Sequence, residues 1–229
     1  INDVSDLTVN ACDYADQAAL DAAFSSWLDG FGFSGGCDPE GTDLSNLTAP
    51  DLCGGNDMSE PSVWINEFHY DNPGSDVGEF VEVAGTAGFD LTGYSIVLYN
   101  GNGGASYNTT SLSGSIDDEG SSGFGAVSFA ISGIQNGEPD GIALVNASNE
   151  AIEFISYEGS FTATNGPANG MTSTDVGISE PGEDDESIQL TGMGSTGSDF
   201  AWSGPSAESP GDLNAGQTVL SSGGSGNSV

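Results

Sequence analysis

The chain contains no lysine and no arginine. Its 229 residues carry 35 Asp and Glu and a single His, for a formal charge of −35. A chain of average composition and this length would hold roughly 25 basic residues. His69 is therefore the one side chain able to carry positive charge. Repulsion among the acids has to be relieved by solvent, salt or bound cations. Such a surface stays soluble in an extracellular or high-salt setting. The same absence argues against several functions. Nucleic-acid binding rests on Lys and Arg neutralising phosphates. Anionic membrane surfaces repel such a chain. Phosphoryl chemistry clamped by arginine lacks its clamp. No apolar run approaches the roughly 18 residues of a membrane span, so no insertion is expected.

What remains has to build a core from apolar residues and turns. Hydrophobic residues make up 36% of the chain, with 11 Phe, 6 Tyr and 3 Trp, and there are 36 glycines. Gly-rich turns between short aromatic and β-branched runs predict an all-β fold. The sequence opens at Ile1 without a signal segment, which predicts a mature or excised piece of a longer secreted precursor. Cys12, Cys37 and Cys53 form no CxxC pair, so a zinc ribbon is not supported. In an oxidising compartment Cys37 and Cys53 are the candidate disulfide, closing a Gly/Pro/Asp-rich loop. Cys12 is then unpaired, either buried or available to another chain. In a reducing compartment all three stay thiols.

Along the chain, residues 1–56 form one compositional unit. DLTVNAC (6–12) reads as a short strand. DYADQAALDAAFSSWLDG (13–30) reads as one amphipathic helix, with Leu20, Phe24, Trp27, Leu28 and Phe31 on a single stripe. Residues 57–62 are a polar linker. Strands then recur between turn signals: VWINEFHY (63–70), EFVEVAG (79–85), YSIVLYN (94–100), GAVSFAI (125–131), DGIALVNA (140–147), AIEFISYEG (151–159), SIQLTG (187–192) and DFAWSG (199–204). This spacing is that of a sandwich or barrel. Alternation in the first puts Trp64, Asn66, Phe68 and Tyr70 on one face and Ile65, Glu67 and His69 on the other, with Trp64, Phe68 and Tyr70 as the core face. Residues 99–109 read as a glycine-bearing hairpin, and Ser148–Asn149 as a tight turn. Residues 220–229 are a Gly/Ser tail.

WINEFHYDNPGSDVGEFVEVAG, DLTGYSIVLYNGNGGASYNT, FAISGIQNGEPDGIALVN, YEGSFTATNGPANGMTSTDVG and SPGDLNAGQTV occur in that order. Together they make residues 63–219 resemble the lamin-tail-like domain of secreted bacterial proteins. The resemblance implies an immunoglobulin-like β-sandwich, used as an accessory module on secreted enzymes or on surface proteins, and it carries over no catalytic residues. ACDYADQAALDAAFSSWL, SGGCDP and PDLCGG more loosely resemble a cysteine-bearing, immunoglobulin-like repeat of bacterial surface proteins, here cut short before its later strands. The whole is then an all-β chain, a lamin-tail-like sandwich preceded by a small segment with one helix.

The candidate sites are acidic. Asp71, Asp76 and Glu79 lie in the turn after the His69 strand. Asp117, Asp118 and Glu119 form a second cluster, and Glu180, Glu183, Asp184, Asp185 and Glu186 a third. Hard cations take oxygen ligands from loops of this kind, so Ca2+ is the candidate cofactor, against the alternative of plain solvated loops. None has the spacing of an EF-hand. His69 lacks the neighbouring nitrogen or sulfur ligands of a zinc site and a legible nucleophile, so no catalytic residue is assigned. The function expected is a non-enzymatic extracellular structural or adhesive module, mature after signal removal. It would self-associate into a surface filament or layer, or join other surface proteins, by strand or edge complementation. The alternative is an accessory domain of a larger secreted hydrolase of nuclease or phosphatase type.

Overall fold

A computed structural model describes residues 62–180, 182 and 185–220, together with Ala22 and Ser25. The chain divides into two units, Ile1–Glu60 and Pro61–Val229. In the first, Ala22 and Ser25 are helical and exposed. The strand expected at 6–12, the rest of the helix expected over 13–30, and Cys12, Cys37 and Cys53 lie outside the described residues, as does most of the Gly/Ser tail.

The second unit runs β1 (Val63–His69), β2 (Phe80–Thr86), β3 (Ser95–Asn100), β4 (Ala105–Ser111), β5 (Phe124–Ala130), β6 (Asp140–Val145), β7 (Ala151–Tyr157), β8 (Thr174–Asp175), β9 (Glu186–Gly194), β10 (Ala201–Ala207) and β11 (Gln217–Val219). One sheet has the order β10-β9-β1-β2-β5, with β11 parallel to the end of β9. The other has the order β4-β3-β6-β7-β8 and is antiparallel except for β8 on β7. All eight strands expected over residues 63–204 are present. The fold is all-β in two sheets.

The two sheets share one core. Ile65, Phe68, Tyr70, Val81, Val83 and Ile188 come from the first sheet; Ile96, Leu98, Ile142, Leu144, Ile155 and Tyr157 come from the second. The Tyr70 and Tyr157 rings stack across it with centroids 4.1 Å apart. Each such large side chain contributes on the order of 1.5–3 kcal/mol by leaving water. The second sheet is apolar on its other face too, where Val97, Tyr99, Ala143, Val145 and Phe154 pack under Ala163 and Ala168. That double burial explains why β3 and β6 read as nearly unbroken apolar runs.

Strict alternation fails in β1. Ile65 pairs with Val83 and Glu67 with Glu82, so Asn66 is an extra residue in a bulge. Ile65 therefore joins Phe68 and Tyr70 in the inter-sheet core. Trp64, expected there, turns instead into a separate cluster with Ala84, Phe124, Ala126, Leu190 and Phe200. The sequence did not mark β8 and β11, and marked β4 only as the second arm of the glycine-bearing hairpin read over 99–109, which β3 and β4 form. β4 (ASYNTTS) buries no residue fully, so it carries no apolar alternation. It follows β3 through a turn in which Gly104 takes φ +69°, and a Cβ there would meet the Thr162 carbonyl oxygen.

Candidate functional site

The bulge sets Asn66, Glu67 and His69 on the face of the first sheet that points away from the inter-sheet core. They are nonetheless only 0, 0 and 2% exposed. An acid enclosed this way needs hydrogen-bond donors, and in this chain the donors are neutral or are His69.

His69 meets Glu180, which comes from more than a hundred residues away. Its Nδ1 lies 3.1 Å from Glu180 Oε1, and both side chains are about 2% exposed. The other carboxylate oxygen, Oε2, accepts the backbone N–H groups of Tyr70 at 2.8 Å and Asp71 at 2.9 Å. The Glu180 N–H donates to the Tyr70 hydroxyl at 2.9 Å. The hydrogen bond to Glu180 is the largest influence on His69. With the carboxylate's charge it outweighs burial and raises the imidazole to about 9. At neutral pH His69 is an imidazolium held in place, without the lone pair a general base uses.

A second constellation runs along the same face. Glu67 Oε1 accepts from Ser187 Oγ (2.6 Å), Gln189 Nε2 (3.2 Å) and the Ser209 N–H (2.8 Å), and its Oε2 accepts from Ser209 Oγ (2.9 Å). Glu82 Oε1 accepts from Asn66 Nδ2 (3.0 Å) and Oε2 from the Gly211 N–H (2.6 Å). Glu119 Oε1 accepts the Ala126 N–H and Oε2 the Leu213 N–H, both at 2.8 Å. Three glutamates thus take the N–H groups of Ser209, Gly211 and Leu213, alternate residues of one segment that turns at Pro210–Gly211. Asn214 completes the attachment. Its Nδ2 donates to the carbonyls of Asn66 (3.1 Å) and Leu190 (2.9 Å), one on β1 and one on β9. Gln217 Nε2 adds a bond to Asn66 Oδ1 at 2.9 Å. The segment 208–217 is a strap bound to the sheet by carboxylates. Burial pushes the Glu82 carboxyl up to about 8, and the Glu67 and Glu119 carboxylates add to this against the pull of Asn66 and Gly211. Glu82 is accordingly mostly protonated at neutral pH, which lowers the charge crowded onto this face.

The acidic loops expected to offer cation ligands have local partners. Asp71 Oδ1 accepts from Asn136 Nδ2 at 3.1 Å, and Asp76 Oδ1 from the Asn72 N–H at 3.4 Å. Glu79 is 6% exposed; its Oε2 accepts the Gly133 N–H at 2.7 Å, while Oε1 is enclosed without a hydrogen-bond partner. Asp117 is exposed. Asp118 Oδ1 accepts the Gly123 N–H at 2.8 Å, and Glu119 holds the strap. Asp185 sits at φ +61° in a turn, with its carbonyl accepting the Glu208 N–H. Glu186 opens β9 opposite Ala207. Glu183 and Asp184 lie outside the described residues. Among the described residues, no three His, Cys, Asp or Glu side chains are grouped to hold a metal ion.

Sequence reading placed Glu67 on the His69 face and Glu180 among the acids of the third loop, but did not pick out Glu67, Glu82 and Glu180 as enclosed carboxylates with distant protein partners. A signal existed for the first two. Each is a lone acid inside a run of large apolar residues, INEF and FVEVA, where a solvated position is improbable. Their partners could not be read, because Ser209, Gly211 and Asn214 are in a polar, Gly-containing stretch far along the chain. No family model, no curated protein and no solved structure matches this chain.

Proposed function

We propose that residues 63–219 are an immunoglobulin-like sandwich of the lamin-tail-like kind, acting as a non-enzymatic structural or adhesive module outside the cell and assembling through a free sheet edge. The observation that carries this reading is β4. It is the terminal strand of its sheet, seven residues long, with no charge, proline or glycine in ASYNTTS. Sheet edges in monomeric proteins are ordinarily blunted by charge, proline, bulges or a covering segment. β10, at the end of the other sheet, is blunted by Gly204–Pro205 and a register shift between Ser203 and Ser206. β4 has a bulge at Tyr107 and its Ser106 N–H donates to Asn165 Oδ1, which leaves Asn108–Ser111, among the described residues, as the uncharged stretch without bulge, proline or glycine. In a chain whose charge is −35, an uncharged edge is also the place where two copies repel least. An added strand would gain main-chain hydrogen bonds along β4.

The test is assembly of the full chain at high concentration, with and without calcium, followed by light scattering and negative-stain microscopy. Oligomers or filaments are expected. Thr109→Lys, at an exposed position of β4, should abolish them while leaving the melting temperature within a few degrees, since surface substitutions typically change stability by about 0.5 kcal/mol or less. A strict monomer under all these conditions overturns the assembly reading.

A further inference from the structure

A cleft of about 620 Å3 opens beside β7, where the beginning of β1 and the β9–β10 connection face it. Trp64, Phe200 and Trp202 line it, the first two only 3% and 8% exposed, and Ile152 and Met171 also border it, 46% and 37% exposed. The Phe154 ring packs on the other face of the second sheet, against Tyr99 and Phe161. Volumes of this order, with apolar and aromatic walls and a few polar groups, are typical of small-ligand sites. Glu153 is the one ionisable side chain among its described lining residues.

Glu153 differs from the other glutamates of the interior. In Glu67, Glu82, Glu119 and Glu180, both carboxylate oxygens have partners, as set out above. Glu153 Oε2 accepts the Ile65 N–H at 2.8 Å, and among the described residues none donates to its Oε1. The side chain is half-buried, and Oε1 is not among the enclosed unpartnered atoms, in contrast to Glu79 Oε1. A half-satisfied carboxylate therefore borders an open cleft in which Trp202 is the partly exposed aromatic side chain. Burial pushes this carboxyl up to about 7, against the Ile65 hydrogen bond.

We propose that this cleft binds a primary alkylammonium group, with the ammonium donating to Glu153 Oε1 and the alkyl chain lying against Trp202, Ile152 and Met171. Three physical arguments select a cation over a neutral or anionic ligand. The free oxygen is an acceptor in a partly desolvated place, where a charged donor makes the stronger hydrogen bond. Indole and phenyl faces attract ammonium groups. The field of a chain with charge −35 concentrates cations at its surface and repels anions. The chain has no lysine, so no side chain of a second copy provides this group. The two sources to distinguish are a free amine and a lysine of a different protein. The inference stands apart from edge assembly through β4.

The experiment titrates the full chain with n-hexylammonium at pH 8, reading tryptophan fluorescence and heat of binding. Hexanol and hexanoate are the neutral and anionic comparators, and Nα-acetyl-lysine methylamide is the lysine probe. Saturable hexylammonium binding is expected, about tenfold or more tighter than hexanol, with no hexanoate binding. Glu153→Gln keeps an acceptor for the Ile65 N–H and should reduce hexylammonium to the level of hexanol. Should that variant fold poorly, Met171→Lys at the rim brings a tethered ammonium to the cleft and should weaken the free amine competitively. Affinity should also fall as the pH drops below 7 and Glu153 is protonated. Lysine amide binding within about threefold of hexylammonium identifies a partner's lysine as the source, while about tenfold weaker binding identifies a free amine. Absence of saturable binding, equal affinity for hexanol, or an unchanged affinity in Glu153→Gln overturns the proposal.

Discussion

Glu180 is the residue on which the one cation of the chain depends. It accepts from His69 and from two successive backbone N–H groups, so it fixes both the imidazolium and the end of β1. Glu180→Gln keeps an acceptor but removes the charge. The His69 imidazole should then titrate close to its ordinary value near 6.5 instead of about 9, as followed by proton NMR of the ring. Losing a charge-assisted bond at a buried position should cost about 2 kcal/mol at neutral pH. An unchanged imidazole titration would mean that Glu180 does not hold the proton. Part of this was visible in the sequence and part was not. The stretch around His69 showed a lone histidine among acids with no zinc or nucleophile partners. Its actual partner was hidden, because the acids near it in sequence, Asp71 and Asp76, have other contacts, while Glu180 is brought in by the fold. The same holds for Glu67. Its position on the outer face of β1 followed from alternation, but its burial came from a strap that no local pattern announces.

Among the elements, strands with two apolar faces or a clear alternation were legible, and short or exposed ones were not. β3 and β6 identified themselves by composition. β8 and β11, with two and three residues, exist only through their neighbours. The β1 bulge is a tertiary feature: Asn66 is accommodated because Glu82, Asn214 and Gln217 bond it. The strap 208–217 is likewise held by side chains more than by a ladder, and this makes it separable from the sheet. Glu67→Gln would turn one oxygen into a donor facing groups that already donate to it, and should destabilise by about 2–3 kcal/mol. Glu82→Gln should cost less, under about 1 kcal/mol at pH 7, because Glu82 is already mostly neutral there and the amide carbonyl can still accept. Hydrogen exchange checks the placement. In Glu67→Gln, the amides of Ser209, Gly211 and Leu213 should lose protection together, while those of β3 and β6 keep theirs. Loss spread evenly over both sheets would show that the strap is not an independent unit.

For the whole molecule, the one-sided charge inverts the usual response to pH and salt. Most proteins gain stability on leaving acid, as paired carboxylates ionise. Here the large resolved shifts run the other way. Glu82 rises to about 8, Glu153 to about 7 and His69 to about 9 in the folded chain. Unfolded, the two glutamates titrate near 4.5 and the histidine near 6.5. Between these values the folded state binds more protons than the unfolded one, so stability falls as pH rises. The contribution of the glutamates is complete below pH 4.5 and is lost through about 7 and 8; that of His69 is complete below 6.5 and lost through about 9. Repulsion among the 35 acids acts in the same direction, since it grows as they ionise. The melting temperature should therefore decline steadily from about pH 5 to pH 9. Added sodium chloride should raise it at pH 8, by screening repulsion over the roughly 10 Å that applies at about 0.1 M. Thermal unfolding by circular dichroism over a grid of pH and salt checks both slopes. A mixed-charge protein would lose favourable pairs on adding salt; among its described residues this chain has one, the enclosed His69–Glu180 pair, which salt reaches poorly. A melting temperature that climbs from pH 5 to pH 8, or falls with salt, would place the dominant electrostatics in interactions other than these buried acids and the crowding of like charge.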